Sequence, residues 1–150
     1  MKAINAIRMG GVDVLPLVEG GKGVAVSNGA TCGGWATGGG VGTFSAVNAD
    51  SYDAEGRVIR QVYHGRTRRE RHEELVAYGI SGGIAQAREA HERAGGRGRI
   101  HMNILWEMGG AERVARGILE GAKGLVNGDT CGAGMPNRLA DLARDYGVHC

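Results

Sequence analysis

The chain has 150 residues, of which 29 are glycine and only Pro16 and Pro136 are proline; glycine at about one residue in five, without a triplet repeat or abundant proline, excludes collagen. Apolar residues make up 42% of the chain and recur in runs, which excludes a disordered linker, and no run approaches the roughly 18 consecutive apolar residues of a membrane span. Net charge is only +2, and the start, Met1 to Met9, lacks the apolar core and cleavage site of a signal peptide, so a soluble, cytoplasmic α/β protein is expected.

In chain order, Val12 to Val18 is apolar and β-branched and predicts a first strand, which ends in Glu19-Gly20-Gly21-Lys22-Gly23. Val24 to Ser27 continues as extended chain. Ala30 to Thr37 predicts a short helix, weakened by Gly33 and Gly34. After Gly38-Gly39-Gly40, Val41 to Ala46 reads as a short buried strand. Residues 48–69 are polar and irregular and predict an insertion or long loop, which in a compact domain is more often functional than decorative.

Glu70 to Ala94 carries the clearest helical pattern, with Val76, Ile80, Ile84, Ala87 and His91 on one stripe and Gly95-Gly96 as its stop. Arg99 to Trp106 predicts a strand. Ala111 to Gly121 predicts a helix burying Val114, Ala115, Ile118 and Leu119. Gly124 to Asn127 predicts a fourth strand, followed by a glycine-rich loop from Asp129 to Met135. Pro136 suits the first position of a last helix, with Leu139, Leu142, Ala143 and Tyr146 inward and Gly147 as its end. Val148 to Cys150 looks like the opening of a further strand. Strands alternating with helices predict a parallel sheet with helical crossovers.

Glycines cluster after the predicted strands, where parallel α/β proteins bind ligands and where a bare backbone approaches a flat ring or a phosphate closely. Within Arg99 to Trp106, alternation puts His101, Asn103 and Leu105 on one face and Ile100, Met102 and Ile104 on the other. Asn103, near a strand's carboxyl end, offers a donor and an acceptor to a planar heterocycle; a satisfied core amide is the plainer reading, as it is for His101. Cys131, before a helix, sits where a thiol pKa can fall, against the alternative of a small buried cysteine. Cys32, Cys131 and Cys150 have no paired spacing and read as reduced thiols. No phosphate-binding loop motif, dinucleotide fingerprint or metal-ligand spacing occurs, so no metal is expected. The run Arg66-Thr67-Arg68-Arg69-Glu70-Arg71-His72 allows a phosphate contact. However, Glu70, Glu73 and Glu74 make it read as a solvated helix start, and no nucleic-acid partner is expected.

Four of these segments, in order, resemble one family. Leu15-Pro16-Leu17-Val18-Glu19-Gly20-Gly21-Lys22-Gly23-Val24 looks like the first strand and flavin-facing turn of the nitronate monooxygenase (2-nitropropane dioxygenase-like) family. Gly39-Gly40-Val41-Gly42-Thr43-Phe44-Ser45 resembles its second strand, and His101-Met102-Asn103-Ile104-Leu105 its third. Gly128 to Pro136 resembles its fourth loop. The resemblance spans about residue 12 to 150. It implies an FMN-dependent oxidoreductase that oxidises alkyl nitronates with molecular oxygen, on a TIM-type (β/α) barrel of which this chain is the first half, four βα units plus the start of a fifth strand. Gly20, Gly21, Lys22, Gly23 and Asn103 would contact FMN, and Thr130, Cys131, Gly132, Ala133 and Gly134 would border the substrate. Lys22 departs from the family's apolar residue. The family's catalytic histidine has no match at His101 or His149 and is expected beyond residue 150, as are its phosphate-binding loops. The chain then reads as a piece of one barrel domain, with unpaired strand edges as a route to self-association. Rival readings are a related flavin-dependent enoyl reductase, a purine-nucleotide dehydrogenase-like barrel with Cys131 as nucleophile, and a non-catalytic fragment or small α/β binding module.

Overall fold

The computed structural model describes residues 4–149; the first three residues and Cys150, the last residue of the expected further strand, lie outside them. The chain opens with a hairpin of β1 (Ile7–Met9) and β2 (Val12–Val14), paired antiparallel. Gly10 and Gly11 turn it at φ 59° and 77°, the positive angles a two-residue hairpin requires. Helix α1 (Gly29–Thr37) follows, its first turn closed by a reciprocal Asn28–Thr31 capping box. It leads into β3 (Val41–Ser45), buried throughout.

A long connection then reaches α2 (Arg68–Ala94), capped by Thr67 and Glu70 at its start and by left-handed Gly95 at its end. Strand β4 (Arg99–Leu105), helix α3 (Ala111–Gly121), strand β5 (Gly128–Gly132) and helix α4 (Leu139–Tyr146) complete the order. Strands β3, β4 and β5 form one parallel sheet in that order. Single parallel bridges, Val18 to Val41 and Gly128 to His149, flank it. No helix of the described residues is long and apolar enough to cross a membrane.

Strand periodicity decides which face meets the helices. Phe44, Ile100, Met102 and Ile104 join Cys32, Ala36, Ala87, Ala90, Val114 and Ile118 in the core. The opposite face carries Thr43, Ser45, Arg99, His101, Asn103 and Thr130. The helices pack closely through small residues. Ile80 and Ile84 of α2 seat on Gly117 and Gly121 of α3, Ile118 on Gly83, and α1 meets α2 at Gly29 and Gly33.

The half barrel of four βα units with the opening of a fifth strand is not formed. The chain has a three-stranded parallel sheet and a separate two-stranded antiparallel one. Val12 to Val18 is not one strand, because its first three residues pair back on β1 and Pro16 lacks the N–H a ladder needs. The fourth strand lies at Gly128–Gly132, not Gly124 to Asn127, because its partners on β4 run from His101 to Leu105. Two smaller readings also change. His91 is exposed, the buried stripe of α2 running instead through Val76, Gly79, Gly83, Gln86, Ala87, Ala90 and Ala94. Val24 and Ala25 stand in a turn at φ 57° and 59°, not in extended chain.

Candidate functional site

The carboxyl ends of the parallel strands bring three polar residues onto one rung, Ser45 beside Asn103 and Asn103 beside Thr130. Asn103 is 6% exposed, and its side-chain amide makes no hydrogen bond among the described residues. Its backbone is engaged, the carbonyl accepting from Ala46 N–H at 2.8 Å. The Ser45 hydroxyl is occupied by the Val47 backbone, accepting from its N–H at 3.1 Å and donating to its carbonyl at 3.2 Å.

The Gly20 to Ser27 turn lies over this rung. Gly21 sits directly against the Asn103 side chain, where a Cβ would overlap the Asn103 Cβ and Cγ. Gly20 and Gly23 have open space where a side chain would be. Buried Ser27 holds the turn. Its Oγ accepts from Lys22 N–H at 3.1 Å, its own N–H donates to the Lys22 carbonyl at 3.3 Å, and its carbonyl accepts from Ser45 N–H at 2.7 Å. A left-handed Val24 is costly for a β-branched residue and persists only where the surroundings fix it. Lys22 is exposed, so its charge stays in water. Glu19 extends the sheet by side chain: after Val41 N–H donates to Leu17 and Glu19 N–H to Val41, the Glu19 carboxylate accepts from Thr43 N–H at 3.0 Å.

The segment from Thr130 to Gly134 divides. Thr130, Cys131 and Gly132 belong to β5, not to a loop. Thr130 shares the Asn103 face and is exposed, whereas Cys131 lies opposite Ile104, on the helix-side face. Ala133 and Gly134 form an exposed left-handed turn. Burial raises the Cys131 thiol pKa, against a lowering by the Trp106 backbone N–H, and the Asp129 charge raises it further. These effects oppose the activated thiolate that a nucleophile needs.

Cys32, buried on α1, is pushed up to about 12, by burial first and then by the Glu19 charge. It is therefore expected to stay unlabelled by iodoacetamide at pH 7.5 in the folded chain and to react on unfolding. Peptide mass spectrometry reads this, and rapid native labelling of Cys32 would contradict it.

Deeper on the Asn103 face, the Thr43 hydroxyl and His101 Nε2 are buried without a hydrogen-bond partner among the described residues, and the His101 imidazole fills the space left by Gly128. Burial, then the Arg99 and His149 charges, lower His101 to about 4, so the ring is neutral at pH 7. The β1–β2 turn at Gly10 lies against Arg99 and His149. The sequence reading missed Ser45, Ser27 and Glu19. Alternation along β3, Thr43 and Ser45 against Phe44, was the signal available for the first. Surface pockets lie elsewhere, one of about 430 Å³ at Leu17, Thr31 and Trp35 and one of about 470 Å³ at Tyr63, Arg68 and Arg71. No protein-family model matches the chain, and no curated protein matches it.

Proposed function

We propose that the chain supplies a flavin-binding rim of an FMN-dependent oxidoreductase of nitronate monooxygenase type, with an alkyl nitronate as substrate and molecular oxygen as electron acceptor. The observation that carries this reading is the contact between Gly21 and Asn103, two residues distant in sequence that the resemblance independently assigns to one cofactor. The residues fit a planar heterocycle. A bare backbone at Gly20 and Gly23, open where a side chain would be, admits a flat ring beside the Gly21–Asn103 contact, and the buried Asn103 amide has both donor and acceptor unspent among the described residues. FMN, when bound, takes electrons from the substrate and passes them to oxygen. The chain's own part is to orient the ring through Asn103, hold the glycine turn through Ser27, and present Thr130 at the exposed end of the same rung. Lys22 contributes only at the rim, from solvent. The proposal places the chain in the cytoplasm, where the free thiols of Cys32 and Cys131 stay reduced.

Quenching of flavin fluorescence on titration with the chain tests the reading. Riboflavin and FMN should bind alike, because none of these contacts addresses the phosphate. Asn103→Leu should weaken both about tenfold, the equivalent of one or two lost hydrogen bonds. Lys22→Ala should change little. Absence of saturable quenching, or an Asn103→Leu variant that binds as well as the parent, would sink the proposal.

A further inference from the structure

The basic run at the start of α2 is not neutralised by the glutamates that follow it. The Glu70 carboxylate accepts from the Arg66 and Thr67 backbone N–H groups at 2.6 and 2.9 Å. Glu73 is paired with Arg113. Glu74 accepts from the backbone N–H groups of His64 and Gly65, at 3.1 and 2.9 Å. Glu70 and Glu74 are therefore spent on the backbone of the loop and helix junction. Glu73, bound to Arg113, still acts on Arg69 and His72. None of the three is paired with Arg68 or Arg71 among the described residues. Arg68 makes no ion pair or hydrogen bond among the described residues, and Arg71 spends only its Nε, donating to the Gly65 carbonyl at 2.8 Å.

Arg68 and Arg71 border an open, mainly apolar surface pocket of about 470 Å³ together with Tyr63, His72 and Leu75. Its aromatic wall is held in place. The Tyr63 ring packs edge-on against Tyr78 with centroids 6.2 Å apart. The Tyr78 hydroxyl accepts from Val62 N–H at 3.2 Å and donates to the Val62 carbonyl at 3.1 Å. His72 packs against Gly109 and Gly110, before α3. The pocket thus sets an exposed aromatic face and a leucine beside two uncompensated guanidinium forks, which suit the tetrahedral oxygens of a phosphate better than a point charge would.

We propose that this pocket binds a small phosphate monoester carried on an aromatic ring, with Arg68 and Arg71 on the phosphate and Tyr63 against the ring. The site is separate from the Gly21–Asn103 rim and does not depend on the flavin reading.

Calorimetric titration of the full chain with phenyl phosphate, and in parallel with inorganic phosphate, tests it. Phenyl phosphate should bind saturably and about tenfold more tightly than inorganic phosphate, the difference being the ring contact. Arg68→Gln, at an exposed side chain with no structural bond to lose, should weaken both about tenfold. Tyr63→Leu should weaken phenyl phosphate alone, and Asn103→Leu should leave both unchanged. Circular dichroism confirms that each variant is folded. Equal affinity for the two probes, indifference to Arg68→Gln, or the absence of saturable binding would each overturn the proposal.

Discussion

Replacing Gly42 by alanine should destabilise the chain by about 3 kcal/mol, the upper range for forcing extra atoms into a packed interior. Thermal unfolding should fall by roughly 10 °C at this chain length. Gly42 lies in the middle of β3, which is buried along its whole length. A Cβ there would overlap the backbone of Cys32 in α1, carbonyl oxygen included. Backbone cannot rotate aside as a side-chain end can, so α1 must lift from the sheet or β3 must bend. The neighbouring change Gly34→Ala should act in the opposite sense. Gly34 is exposed inside α1 with nothing near its missing Cβ, and alanine in a helix interior is worth about 0.5–1 kcal/mol over glycine. Denaturant titration of the two variants decides the matter. A Gly42→Ala protein as stable as the parent would show that α1 does not sit on β3 as described.

Stability should also fall steeply between pH 6.5 and pH 4, and His101 should account for a large part of the fall. Its pKa is lowered from 6.5 to about 4, by burial and then by the Arg99 and His149 charges. In that window the unfolded chain holds a proton that the folded chain refuses, so folding loses free energy as pH falls and the loss levels off below pH 4. A displacement of this size is worth roughly 3 kcal/mol. The neutral ring of His101→Phe removes the proton-binding difference, so the variant's stability should vary less over the window than the parent's. Parallel urea titrations at pH 7, 5.5 and 4.5 measure it. Identical pH profiles for the two proteins would mean that His101 is charged at little cost in the folded chain.

The helices were largely legible in the sequence because their signals are local. The 3.6-residue spacing and Gly121 place α3 at the residues it occupies, and Thr67 with Glu70 starts α2 two residues before the predicted Glu70. The strands were less so. Gly10-Gly11 is a hairpin signal, but the apolar run after it dominated the reading, although Pro16 interrupts that run. Gly124 to Asn127 looks more like a strand than Gly-Asp-Thr-Cys-Gly does, yet pairing with β4 outweighs side-chain preference and sets β5 four residues later.

Of the site, Asn103 could be found by alternation along one strand. That Gly21 rests on it could not, since nothing local records which turn a strand end will meet. The acids after Arg66 to His72 show the same limit in reverse. Adjacency suggested that they neutralise the arginines, but hydrogen bonds to the backbone of the preceding loop claim two of them and a residue of α3 claims the third.

The close helix contacts at Gly29, Gly33, Gly83, Gly117 and Gly121 carry a consequence for how the molecule forms. Each such glycine gives up about 1 kcal/mol of helix preference in exchange for a close approach that exists only after a neighbour has arrived. Helix α1, with Gly29, Gly33 and Gly34 among its nine residues, is too short and too glycine-rich to persist alone in water. It holds its shape by packing against α2 and β3. Since Ser27 and Asn28 lead straight into α1, the turn over Asn103 shares that dependence, and the rim of the candidate site is tied to the packing of a helix that cannot stand alone.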